Sequence, residues 1–286
     1  MPAVTTSAPA NAIPSPATLK AVAANGPDVG SLFVADKAAR HSAAEGIATL
    51  IQKDGPSVIK SVGFTDAIIK ALGDKKSPAA RGGAVEAVIA LSKAVPCALE
   101  PLFVDSGLYA ALVETFADKM PAVRTAAVEA VRTFVQNANP WAAALLLPSL
   151  LHEIKSAGKW QVKTGALTIL DQLVVSAPQQ TARLMPEIVP VLAEAIWDTK
   201  AEVKKQARES LTKATALISN KDIERFIPAL IKSLINPVEE VPNTIQLLSA
   251  TTFVSEVDSA TLSLMVPLLS RGLSEKLTAT KRKVAV

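Results

Sequence analysis

Apolar positions along this chain recur with a helical rhythm. In "IWDTKAEVKKQARESLTKA", from Ile196 to Ala214, Val203, Ala207, Leu211 and Ala214 fall at i, i+4, i+8 and i+11. That is one stripe with a period of about 3.6 residues. Lys204, Lys205, Arg208 and Glu209 take the other side. Asp198 and Thr199 stand just ahead of the stripe, where an N-terminal cap is expected. The stretch predicts a capped amphipathic helix.

The same pattern returns along the chain. "LVETFADKMPAVRTAAVEAV" sets Asp118 six residues before Arg124, with Val123 and Ala127 in the apolar slots. "IIKALGDKKSPAARGGAVEAV" sets Asp74 seven before Arg81, and "LLHEIKSAGKWQVKTGALTIL" carries Val162, Lys163 and Ala166 with no acid in the aspartate slot. The anchors Arg81, Arg124, Lys163 and Lys204 are 43, 39 and 41 residues apart. Thr244 continues the series as a degenerate unit 40 residues on, and Lys281 closes it after 37 more. An upstream helix, often entered through proline, precedes each anchor: "PSLLHEI", "MPEIVPVLAEAI", "RFIPALIKSLI", "LMVPLLSRGL". Proline is tolerated there because the first N–H groups of a helix have no internal partner.

A period of about 40 residues built from two helices is the mark of HEAT or armadillo repeats. The expected fold class is all-α, a solenoid of about six to seven helical hairpins spanning 21–286. An Ala/Pro/Ser/Thr-rich stretch over 1–20 is expected to form a flexible tail. In such an array an aspartate in the turn of one unit can hold the basic residue of its neighbour. Asp74, Arg81, Asp118, Arg124 and Asp198 are assigned to this ladder. Lys204 and its equivalents are read mainly as structural, with contact to a partner as the second use of the same slot.

Composition narrows the class. Of 286 residues 49% are hydrophobic but only 4% aromatic, so the apolar content is Ala, Leu, Val and Ile, which suits closely packed helices. The single cysteine, Cys97, rules out an internal disulfide and fits a reducing compartment. It follows Pro96 in an apolar segment and is read as a small core residue. The start lacks the basic and apolar regions of a secretion signal. No uninterrupted apolar window is long enough for a bilayer span.

Enzyme chemistry finds no constellation. His41 and His152 have no Cys or His at ligand spacing, so each reads as exposed or locally bonded. The one Gly-Lys pair, Gly158-Lys159, has Glu153 where a phosphate loop needs its first glycine and Trp160 where it needs Ser or Thr. No metal, nucleotide or other cofactor is expected in this chain.

Charge is mildly basic, +4 from 30 Lys and Arg against 26 Asp and Glu. It is unevenly placed. Arg271, Lys276, Lys281, Arg282 and Lys283 cluster near the end; Lys200, Lys204, Lys205 and Arg208 surround the expected helix that carries Val203 and Ala207. Lys75, Lys76, Lys119, Lys159 and Trp160 fall in expected turns. Basic side chains at successive turns of a solenoid would track a phosphate backbone, although solvated lysines on helix faces are ordinary. Trp160 suits either base stacking or a wedge between repeats, the wedge being favoured.

Several segments are more specific than the repeat. "NPWAAALLLPSLL", "KWQVKTGAL", "RLMPEIVPVLAEAIWDTKAEVK", "NKDIERFIPALIKSLINP", "LLSATTFVSEV" and "LSLMVPLLSRGL" followed by "KRK" resemble the N-terminal HEAT region of the fungal translation elongation factor 3 family, from about Asn137 onward. The resemblance implies a cytoplasmic factor that binds the ribosome, contacting ribosomal RNA and ribosomal proteins. It also implies that two ATP-binding-cassette domains, with ATP and Mg, follow in the whole protein and drive release of exit-site tRNA and aid aminoacyl-tRNA delivery. This chain carries neither cassette and stops inside an expected helix, "KRKVAV", so it reads as an N-terminal part without ATPase activity of its own. A monomer with no membrane and no small-molecule substrate is expected.

Among residues in the matching words, Arg225 is assigned to an inter-repeat contact. The rRNA-binding candidates are Lys75, Lys76, Lys119, Lys159, Lys163, Lys200, Lys204, Lys205, Lys281, Arg282 and Lys283. The alternative reading is a generic HEAT scaffold for protein partners. Salt separates the two, because phosphate binding weakens steeply with ionic strength and an apolar groove barely responds.

Overall fold

A series of long helices carries the repeat. In the computed structural model, which describes residues 29–276 and 278–285, they begin at Lys37, Pro78, Pro121, Trp160, Ala201, Pro237 and Thr278. Those starts lie 36 to 43 residues apart, and no strand occurs among the described residues. The fold is an all-α repeat architecture of the HEAT/armadillo class. The stretch expected as a tail, 1–20, lies outside the described residues.

The chain divides into two compact units at Ala138/Asn139. In the first, a 3-10 turn at Val29–Phe33 precedes α1 (Lys37–Asp54), α2 (Ser57–Ser61), α3 (Phe64–Leu72), α4 (Pro78–Ala94), α5 (Pro96–Asp105), α6 (Leu108–Thr115) and α7 (Pro121–Asn137). Helix α4 packs between α1 and α7. The upstream arm of each hairpin is not one helix but two pieces. Gly63 (φ 65°) and Gly107 (φ 79°) occupy the left-handed region at the breaks, which only glycine enters without strain. Helices α5 and α6 consequently meet at 84°. The bend turns Leu99 and Phe103 of α5, and Leu108 and Leu112 of α6, into one core, where Phe103 stacks on Phe134 of α7 with centroids 3.8 Å apart. The glycine pair in "RGGAVE" also has a packing reason. A Cβ on Gly83 would collide with the Leu32 carbonyl oxygen, so the 3-10 turn lies directly on α4.

The second unit holds α8 (Pro140–Ala144), α9 (Leu147–Ser156), α10 (Trp160–Ser176), α11 (Pro178–Arg183), α12 (Met185–Ala195), α13 (Ala201–Thr215), α14 (Lys221–Glu224), α15 (Ile227–Ile235), α16 (Pro237–Ser249), α17 (Ser259–Ser274) and α18 (Thr278–Ala285). The stripe Val203, Ala207, Leu211, Ala214 is fully buried, and α13 packs it against α10 and α12. Beyond α13 the stacking is irregular. Helix α17 packs directly on α12, while α15 and α16 pack on α17. Pro237 starts α16 immediately after Asn236, so this hairpin has no intervening turn. That early start shifts the register. The fourth residue of the long helix here is Glu240, and Thr244, expected at the anchor, lies one turn further in, its hydroxyl 3.4 Å from the Ala229 carbonyl oxygen.

Candidate nucleic-acid interface

The fourth residue of six of the seven long helices is basic: Arg40, Arg81, Arg124, Lys163, Lys204 and Lys281. Some of these charges are held by an acid of another hairpin and some are not.

Arg81 shows the closed arrangement. Its Nε and Nη2 donate to the two Asp118 carboxylate oxygens at 2.6 and 3.1 Å, and its Nη1 donates to the Asp74 carbonyl at 2.6 Å. One guanidinium thus joins its own turn to the next. The pair is buried, with side chains 7% and 10% exposed. Asp118 also accepts from the Met120 N–H at 2.8 Å. Burial pushes the Asp118 carboxyl up, but the Arg81 and Met120 hydrogen bonds and the charges of Arg81 and Arg124 outweigh it, leaving the group below the ordinary carboxylate range. In the second unit Lys163 Nζ donates to Asp198 Oδ2 at 2.7 Å, and Asp198 Oδ1 accepts from the Lys200 N–H at 2.9 Å. Here too burial raises the carboxyl and the Lys163 bond, the Lys200 N–H, the Lys163 charge and the Thr199 hydroxyl together lower it.

Several assignments change. Lys163, placed among the RNA-binding candidates, is a half-buried ladder residue. Asp198 and Thr199 do not cap α13; Lys200 occupies the cap position with no side-chain capping bond, and Asp198 serves the turn and the ladder instead. Asp74 receives the N–H groups of Lys76 and Ser77 rather than a base from another repeat. Arg124 donates to its own turn, to the carbonyls of Asp118 and Lys119 at 2.7 and 3.3 Å. Arg225 is exposed and lies over the ring of its neighbour Phe226, 4.6 Å from the centroid. The inter-repeat contact at that place belongs to Asp222, which accepts from the Val254 and Ser255 N–H groups at 2.9 and 2.7 Å. Those bonds, the Ser255 one first, hold its carboxyl low. Cys97 is exposed, not core, because it sits in the first turn of α5 on the side away from Leu99 and Phe103.

Two rungs escaped the sequence reading. Arg40 grips Glu86 of α4 with Nε and Nη2 at 2.9 and 3.2 Å. It stands 41 residues before Arg81, so the period itself was the available signal. Asp171, buried in the middle of α10, receives Gln206 Nε2 at 3.1 Å and Lys213 Nζ from α13. Its signal was a lone charge inside the apolar run "LTILDQLVV".

What remains is a set of unspent cations. Lys75, Lys76, Lys119, Lys159, Lys200 and Lys205 are exposed and make no ion pair among the described residues. Lys76, Lys119, Lys159 and Lys200 lie one or two residues before α4, α7, α10 and α13. Each adds its charge to a helix N-terminus, where the macrodipole already favours anions. Lys204 is half-buried and makes no ion pair among the described residues, unlike Lys163 at the equivalent place. Lys281, Arg282 and Lys283 are exposed on α18. Trp160, first residue of α10, is half-buried, whereas Trp141 and Trp197 are 60% and 57% exposed. His41 bonds Glu45 at 3.3 Å on the surface of α1. No single helix among the described residues is long and apolar enough to cross a membrane.

Comparison with known proteins sharpens the picture. The family model described as "EF3 N-terminal HEAT repeat" matches residues 40–211, and "Elongation factor 3/GNC1 HEAT repeat" matches residues 239–286. The chain is 55% identical over 85% of its length to elongation factor 3 of Mycosarcoma maydis, covering 23% of that protein. It is 44% identical over 83% of its length to elongation factor 3B of Saccharomyces cerevisiae, and 42% identical over 89% to elongation factor 3A of the same yeast, covering 22% and 24% of them. The chain therefore spans about a quarter or less of these relatives.

Proposed function

The chain belongs to the EF3 N-terminal HEAT repeat family, and on that premise we propose that it is the ribosome-docking region of an elongation factor 3-like protein of the cytoplasm. Its partners in this reading are ribosomal RNA and ribosomal proteins. The contact is made by charge and shape, with no catalytic group from this chain. ATP hydrolysis, release of exit-site tRNA and help with aminoacyl-tRNA delivery belong to the whole protein and its cassette domains.

One observation carries the reading. The starts of the long helices sort into charges consumed by the ladder, such as Arg81 and Lys163, and charges left exposed at the same ends, such as Lys119, Lys159 and Lys200. Exposed lysines at the starts of two successive long helices in each unit, Lys76 and Lys119 in the first and Lys159 and Lys200 in the second, offer repeated sites to a phosphate chain. A scaffold for apolar protein partners has no use for those lysines.

The test is co-sedimentation of the chain with purified ribosomes across a salt series. Binding that weakens steeply as salt rises supports the reading. Binding indifferent to salt points to an apolar protein partner, and absence of binding at low salt overturns the reading for this chain.

A further inference from the structure

The irregular stacking of the second unit leaves a cleft of about 390 Å³ among α12, α15, α16 and α17. Trp197, Ala193 and Pro267 form its accessible apolar wall over the buried Leu234, Val241 and Leu268, and Glu194 and Arg271 are its charged lining residues. Three properties set it apart from an ordinary packing gap. Trp197 is 57% exposed although it lies beside buried Ile196. Its turn is held rigid: the Trp197 N–H donates to the Glu194 carbonyl at 3.0 Å, and the next residue, Asp198, is fixed by Lys163 and by the Lys200 N–H. Finally, Arg271 is exposed with no ion pair among the described residues, whereas Glu194 is 3.6 Å from Lys155.

We propose that this cleft receives one unpaired nucleobase of the RNA whose phosphates pass Lys200. This rests on the ribosome-docking reading and names the nucleic-acid element that the site takes. The base stacks on the Trp197 indole, its edge rests on Ala193 and Pro267, the half-exposed apolar residues of the lining, and Arg271 meets the phosphate or a ring acceptor. Sequence-specific and single-stranded RNA contacts are built this way, from splayed bases on aromatic rings beside guanidinium groups. The cleft's volume is at the low end of the range for ligand pockets, matching a single base rather than a peptide segment. Lys200, three residues after Trp197, supplies a phosphate site on the same turn. The rigid rung beside Trp197 means that little ordering is required on binding.

The test compares a short single-stranded oligoadenylate with a blunt RNA duplex of equal length, each titrated against the chain and its Trp197→Ala, Trp197→Phe and Arg271→Ala variants. Trp197→Ala is expected to weaken single-strand binding about tenfold while leaving the duplex unchanged, and Trp197→Phe to restore most of it. Arg271→Ala is expected to weaken the single strand by a smaller factor. If wild type binds neither RNA, the docking reading fails and takes this inference with it. If wild type binds both and Trp197→Ala changes neither, or both alike, the nucleobase assignment is overturned while the lysine assignment stands. Loss of ribosome co-sedimentation by Trp197→Ala with both RNA affinities intact would also overturn it, in favour of a protein side chain in the cleft.

Discussion

Helices α10 and α13 begin alike and end up with different uses for the same residue. Each carries lysine at its fourth position, Lys163 and Lys204, behind an exposed lysine at its cap, Lys159 and Lys200. The turn before α13 supplies Asp198, and Lys163 is drawn into a 2.7 Å ion pair. The next long helix begins at Pro237 directly after Asn236 and offers no acid in the matching place, so Lys204 has no such partner among the described residues. A repeat position is thus not a function. Its charge is structural where the neighbouring turn answers it and available where the turn does not.

That comparison can be broken most forcefully at its buried end. Asp118→Ala leaves the nearly buried Arg81 guanidinium without its carboxylate, and a loss of about 3 kcal/mol in unfolding stability is expected by chemical denaturation. A loss below about 1 kcal/mol would show that the rung is not structural. Lys163→Ala is expected to cost less, about 1–2 kcal/mol, because its side chain is 19% exposed and a flexible ammonium makes one bond to its carboxylate where Arg81 makes two.

Acid sharpens the same contrast. The carboxyls of Asp118 and Asp198 are held below their unfolded value in the folded chain. Their contribution is therefore fully present above about pH 4 and is lost as pH falls through the lower folded value. Thermal melting followed across that range should show Asp118→Asn starting less stable and losing less on acidification than wild type. At the small end, Lys204→Ala and Lys205→Ala should change stability by less than about 0.5 kcal/mol. Together they should reduce the salt slope of RNA binding by about 1.4.

Much of this was legible in the chain. The 40-residue spacing locates the long helices, and the Asp118–Arg81 rung follows from spacing plus the requirement that buried charge be paired. The missing parts have physical reasons. The upstream arms read as single helices because their apolar rhythm continues across the breaks, while Gly63 and Gly107 declare themselves only through positive φ. Arg40 was overlooked because its acid, Glu86, lies on a helix rather than in a turn. The Trp197 cleft depends on α17 packing against α12 across 60 or more residues of chain, which no local pattern encodes.

The most direct test of the account measures two properties on two variants: ribosome co-sedimentation at low salt and melting temperature, for Asp118→Ala and for the Lys200/Lys204/Lys205→Ala triple. The account predicts a clean exchange, with Asp118→Ala melting several degrees lower yet still binding below its transition, and the triple variant melting like wild type but binding weakly. A triple variant that binds normally, or one that loses stability as much as Asp118→Ala, would contradict the division of these charges into structural and available.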